Sequence, residues 1–185
     1  MPVADERQLI IEAKEGNHQA FRQLVERHMK QAYNIAYGFL HHHELAQDVT
    51  QDAFVRVYHA LPSFRGDAEF STWLYRIITN LALNRMKMEK SRVQRFEANG
   101  NGELNAISRD SGSAENKELR DHVERALHEL PTLQRSVVIL RHLEGLSTRQ
   151  VSGILSCSEG TVKTHLFRGL KKLRKRLEYF RTEIT

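Results

Sequence analysis

The sequence predicts an all-α protein of two small helical domains joined by a flexible linker, and three observations predict it. Apolar residues recur at helical spacing through nearly the whole chain of 185 residues. No stretch alternates apolar and polar residues with turn chemistry at its ends, so strands have no basis. One segment, SRVQRFEANGNGELNAISRDSGSAE at residues 91–115, is rich in Gly, Asn and Ser and poor in aliphatics, which marks a linker.

In chain order, the pattern predicts a first helix over about 6–15, ended by Gly16-Asn17. A second follows over about 18–40, with Ala20, Leu24, Ala32, Ile35, Ala36 and Phe39 inward. The third covers about 44–61 and stops at Pro62; the fourth runs over about 71–90, with Leu74, Ile77, Ile78 and Leu81 as its buried stripe. As a flexible coil the linker averages about 25–30 Å end to end, and it reaches about 80–90 Å when pulled straight. Beyond it, helices are expected over about 116–130, 132–143, 148–155 and 159–179. Pro131 suits a helix boundary, Gly145 a C′ residue, and Ser147-Thr148-Arg149-Gln150 has the form of a capping box. Ser156-Cys157-Ser158 makes a short turn whose last residue caps the next helix.

Composition narrows the function classes. With 40% hydrophobic and 28% charged residues the chain is globular. No run approaches the roughly 18 apolar residues of a membrane span, and MPVADERQ has neither the basic start nor the apolar core of a signal peptide, so a cytoplasmic protein is expected. The single cysteine, Cys157, forms no internal disulfide and anchors no thiolate metal site by itself. Three consecutive histidines, His41-His42-His43, cannot all face one ion from a helix, so a polar interhelical loop explains them better than a metal. There is no Gly-rich phosphate loop, G-x-S-x-G elbow or HExxH motif; no enzyme activity, catalytic residue, metal, cofactor or small-molecule substrate is expected.

The net charge of +5 is uneven: residues 116–185 carry 14 basic and 8 acidic side chains, whereas residues 1–90 carry 11 of each. A basic C-terminal part points to a polyanion, most commonly a phosphate backbone. There two short helices flank a tight turn, and the second begins GTVKTHLFRGLKKLRKRL, making a helix-turn-helix. Thr161, Lys163, Thr164, His165, Phe167 and Arg168 are suited to base edges and phosphates in a major groove, while Val162, Leu166, Leu170 and Leu173 should face inward. In the N-terminal part, Phe64, Phe70, Trp73 and Tyr75 stand beside Arg76, Arg85, Lys87, Lys90, Arg92 and Arg95, a mixture suited to opened DNA because aromatic faces stack on unpaired bases while cations hold phosphates. Asn80 and Asn84, one turn apart, suit the edge of a base lifted from its stack; Phe64 sits in a Pro/Ser/Gly-punctuated loop where a core role is harder to see. Glu44, Asp48 and Asp52 form an acidic ridge with Gln47 and Gln51 alongside, a surface that DNA avoids and a basic protein partner would fit.

In this order, ELAQDVTQDAFVRVYHALPSFRGDAEFSTWLYRIITNLALNRMK and LHELPTLQRSVVILRHLEGLSTRQVSGILSCSEGTVKTHLFRGLKKLRKRL resemble the extracytoplasmic-function (group 4) sigma factors of the sigma-70 family. The resemblance implies a subunit that binds core RNA polymerase and directs promoter-specific initiation, with region 2 at 1–90, a linker at 91–115 and region 4 at 116–185. It implies that Asp48, Gln51, Asp52, Phe54 and Val55 dock on the β′ clamp helices, with a further contact between the C-terminal domain and the β flap. It implies that Phe64, Trp73, Arg76, Asn80 and Asn84 capture and melt the promoter −10 element. Thr161, Lys163, Thr164, His165, Phe167 and Arg168 then read or clamp the −35 element. Control by a separate anti-sigma factor, which would hold the chain at the inner membrane where that factor is membrane-bound, is a family-level expectation. Asp52 in place of the usual glutamate, Arg149-Gln150-Val151-Ser152 in place of the usual Glu-Ile-Ala, and His165 depart from the family pattern, so the −35 preference is not copied from a relative. The alternative is a response-regulator-type transcription factor, whose output helix-turn-helix LSTRQVSGILSCSEGTVKTHLFRGLKKL also resembles. A receiver's alternating strands and helices are missing from the first half.

Overall fold

A computed structural model describes residues 5–98 and 122–181, and among these every regular element is a helix. Helix α1 spans Glu6–Lys14, α2 His18–Leu40, α3 His43–Ala60 and α4 Phe70–Ala98, with a single 3₁₀ turn at Leu61–Ser63. The caps are those the side chains supply. Asp5 accepts from the Arg7 N–H, and Asn17 accepts from the N–H groups of Gln19 and Ala20. The histidine triplet does similar work: His41 takes the left-handed conformation that closes α2, and His42 Nδ1 accepts the Leu45 N–H at the start of α3. Among the described residues no cluster of three or more His, Cys, Asp or Glu side chains converges on a point.

In the second half, α5 is described over 122–128, α6 spans Thr132–Val138 and runs on as one π turn over Ile139–Leu143, α7 spans Thr148–Leu155 and α8 Glu159–Arg181. Gly145, with φ +70°, and the Leu146 N–H on the Leu140 carbonyl end the α6 segment. The expected capping box is present: Gln150 N–H donates to Ser147 Oγ at 3.1 Å and Ser147 N–H to Gln150 Oε1 at 2.9 Å.

Two expectations need correction. The fourth helix continues to Ala98, so the first eight residues of the expected linker are helical; Arg85, Glu89 and Arg92 pair along one face of that extension and supply the i,i+3 and i,i+4 support that hides in a Gly/Asn-poor stretch. The remainder of that linker and the expected helix start at 116–121 lie outside the described residues. The two halves, moreover, are not independent bodies. Val137, Ile139, Leu140, Leu146, Val151, Ile154 and Val162 from the C-terminal half share one apolar core with Leu24, Ile35, Phe39, Val57, Leu74 and Ile78. A smaller cluster, Ala126, Leu127, Leu130, Val138 and Leu173, joins α5, α6 and α8.

Candidate nucleic-acid interface

On α3 the acidic ridge faces solvent: Glu44, Asp48 and Asp52 are exposed, as are Gln47 and Gln51. Val55, 56% exposed, extends the ridge, and Tyr58 lies one turn further along, a position that the i+3 spacing from Val55 would have revealed. Tyr58 is steadied edge-on by Phe21, with ring centroids 5.0 Å apart. Phe54 belongs elsewhere, since it is buried among the core side chains and touches no outside surface. It holds α3 in place beneath the ridge.

The aromatic group divides in the same way. Phe70 and Tyr75 are core; burial, with the Glu6 and Glu144 carboxylates, pushes the Tyr75 hydroxyl up to about 12. Its oxygen lies 3.3 Å from His28 Nδ1, whose ring reaches Glu6 through Nε2 at 2.8 Å, so these residues tie α1, α2 and α4 together. Phe64 is not the free loop aromatic that its sequence setting suggests. Its ring packs 4.8 Å from Trp73 and edge-on to Phe70, and Lys14 Nζ donates to the Phe64 carbonyl at 2.9 Å. Loop chemistry hides this because the partners come from α1 and α4. Phe64 and Trp73 thus form a half-buried pair at the start of α4, while Asn80 and Asn84 are exposed farther along. Arg76 lies between them and donates from Nε and Nη2 to the Gly153 carbonyl of α7, at 3.0 and 2.5 Å.

Helix α8 opens with the Ser158 hydroxyl accepting the Thr161 N–H at 3.0 Å and meeting the Thr161 hydroxyl at 2.8 Å. Lys163, Thr164, Phe167 and Arg168 are exposed and, at 100° per residue, fall within about 140° of arc on one face. Phe167 is 70% exposed, an unusual position for a phenyl ring on an otherwise polar helix face. His165 is half-buried, with Nδ1 turned inward and unpartnered. Val162 and Leu173 are buried and Leu166 and Leu170 partly so, as the helical spacing requires. Of the cations toward the helix end, Lys171, Lys172, Arg174 and Lys175 are exposed, whereas Arg176 pairs with Glu129.

A ridge of carboxylates, a short aromatic pair beside two amides, and a cationic helix-turn-helix thus occur on one chain in that order. The sigma-70 region 2 model matches residues 24–92, and the sigma-70 region 4 model matches residues 120–173. The chain is 33% identical over 181 residues to the RNA polymerase sigma-H factor of Pseudomonas aeruginosa, covering 94% of each chain. It is 35% identical over 168 residues to the ECF RNA polymerase sigma-E factor of Escherichia coli, covering 86% of this chain and 87% of the relative. The chain belongs to the extracytoplasmic-function sigma factors of the sigma-70 family. A solved structure of CnrH in complex with the cytosolic domain of CnrY is similar throughout, with a TM-score of 0.72 and 29% identity, covering 94% of this chain and 97% of that one. The response-regulator alternative fails on the first half, which is region 2 and contains no strand among its described residues. As a sigma factor, the protein is a promoter-specific initiation subunit of RNA polymerase. None of its described helices is long and apolar enough to cross a membrane.

Proposed function

We propose that this sigma factor divides initiation among its three chemically distinct faces, with region 2 at 1–90, a linker at 91–115 and region 4 at 116–185. The observation that carries the reading is their exposure: the α3 ridge, the Asn80 and Asn84 amides of α4, and the Lys163, Thr164, Phe167 and Arg168 face of α8 all point to solvent. Asp48, Gln51, Asp52 and Val55 dock on the β′ clamp helices of core polymerase, with Phe54 supporting them from below, and region 4 engages the β flap. Carboxylates and amides around an apolar centre suit a basic partner and repel DNA. Trp73 and Phe64 offer ring faces to bases of the −10 element, Asn80 and Asn84 read their edges, and Arg76 holds phosphate. Stacking on protein rings at about 1–3 kcal/mol per base offsets the few kcal/mol that unstacking each step costs, so opening needs no ATP.

On region 4, Lys163 and Arg168 clamp the −35 backbone. Thr161 and Thr164 present hydroxyls to base edges, Phe167 meets a thymine methyl, and His165 positions the helix from its half-buried site. An anti-sigma factor is the expected inhibitor, in keeping with the likeness to CnrH bound to the cytosolic domain of CnrY. The test is run-off transcription with purified core polymerase and this protein on a library of genomic fragments. Starts that share upstream and start-proximal elements support the reading. Sequence-specific binding by the protein alone, without protein-dependent initiation, would refute it.

A further inference from the structure

Two glycines stand inside helices where neither a turn nor a positive φ requires them. Gly38 lies in α2 and Gly153 in α7, and glycine in a helix interior costs about 1 kcal/mol relative to alanine. Both sit against the opposite half of the molecule. A Cβ on Gly38 would fall 2.9 Å from Ile139 Cγ2, and one on Gly153 would fall 2.8 Å from Thr72 Cγ2. Each obstructing methyl belongs to a β-branched side chain with little rotamer freedom, so neither moves aside readily.

Polar ties cross the same seam. Gln31 Nε2 donates to Glu144 Oε2 at 2.9 Å, and His41 Nδ1 lies 3.2 Å from Glu124 Oε1. The Gly153 carbonyl is among the last four of α7, which lack an onward helical partner; the Cys157 N–H goes to Ser152 instead. Arg76 caps it from across the seam, a cation at the negative end of a helix.

Arg76 is also a member of the proposed −10 surface, and the periodicity of α4 shows the conflict. Thr72, Arg76, Asn80 and Asn84 follow one another at intervals of four, so they form a single ridge along the helix. Helix α7 occupies its Thr72–Arg76 end, leaving Asn80 and Asn84 exposed at the other. A DNA strand laid along the ridge meets α7 before it reaches Trp73.

We propose that region 4 is a built-in cover for the −10 surface of region 2: the packed chain is a latent form in which α7 and promoter DNA compete for Arg76, and core polymerase must part the halves to use it. The inference rests on the assignment of Arg76 and its neighbours to −10 capture. Gly38 and Gly153 permit the close approach and belong to no proposed DNA or polymerase surface, so they separate the cover from the binding chemistry.

The experiment compares the full-length wild type with Gly38→Ala/Gly153→Ala. Alanine favours both helices, which far-UV circular dichroism checks, yet overpacks the seam enough to shift the packing equilibrium by about tenfold or more. Small-angle scattering should show a larger radius of gyration for the variant. At limiting sigma factor, run-off transcription with core polymerase should rise several-fold. Thr72→Ala, added to Gly153→Ala alone, removes the obstructing methyl and should restore the wild-type radius. An unchanged radius in the double variant overturns the seam. A larger radius without faster initiation overturns its inhibitory role. Absence of initiation by both proteins refutes the −10 reading itself, and the scattering result is independent of that failure.

Discussion

Lys163 and Arg168 allow the −35 assignment to be tested quantitatively. Both are exposed on the first turns of α8, about 140° apart around the helix axis, so they can reach phosphates on opposite walls of a groove. Each phosphate contact contributes about 0.9 to the slope of log affinity against log salt. Raising salt from about 50 to about 200 mM therefore weakens each contact about 3.5-fold. Arg168→Ala or Lys163→Ala should lower the slope by about one, and the double variant by about two, so that wild type and double variant converge about twelvefold across that range. The assay is equilibrium binding of the reconstituted holoenzyme to one promoter fragment at several salt concentrations, with substitutions in the −35 element as a control. A single variant that loses affinity at every salt with an unchanged slope would refute the phosphate role and assign that side chain to a base edge. A slope change produced by Lys175→Ala but by neither of the first two would mean that the helix docks by its far end.

Phe167→Ala should leave thermal stability within about 0.5 kcal/mol, because the ring is already 70% exposed, yet weaken promoter binding by about 1–2 kcal/mol in a holoenzyme titration, chiefly where a −35 thymine is present. Asn80→Ala should leave the melting temperature unchanged and reduce permanganate reactivity of −10 thymines, with initial binding preserved. Trp73→Ala should reduce that reactivity too, but should also cost about 1–3 kcal/mol in urea denaturation, since the ring packs on Phe64 and Phe70. Burial raises the Glu144 carboxyl above its ordinary value against the opposing Gln31 hydrogen bond. The folded chain then holds that proton more tightly than the unfolded chain, so this residue's contribution to stability is greatest below about 4.5 and falls as pH rises toward the raised folded value. Glu144→Gln should remove that fall and raise the melting temperature near pH 7 by about 2–4 °C per kcal/mol of desolvation relieved, read as the difference between wild-type and variant melts at several pH values.

The sequence by itself determined most of the local structure. The boundaries of α2 and α7 match their expected spans, because Asn17, Ser147 with Gln150, and the left-handed residues His41 and Ser156 act within a few positions of themselves. The acidic ridge, the asparagine pair and the cationic face of α8 were legible for a similar reason: on an exposed helix face, spacing alone fixes which side chains appear together. The extension of α4 to Ala98 was less legible, since ion pairs outweighed a composition that reads as linker.

Only tertiary structure decided what depends on partners distant in the chain. Phe54 turned inward, Phe64 joined Trp73, and His165 lost half its exposure, each through contacts that no local pattern encodes. The isolated glycines in α2 and α7 were the available signal for a close approach, but spacing cannot say which helix approaches. Two helical halves each have an inward face legible from periodicity. That those faces merge into one core, and that Arg76 meets a carbonyl 77 positions away, follows from how the halves pack in three dimensions.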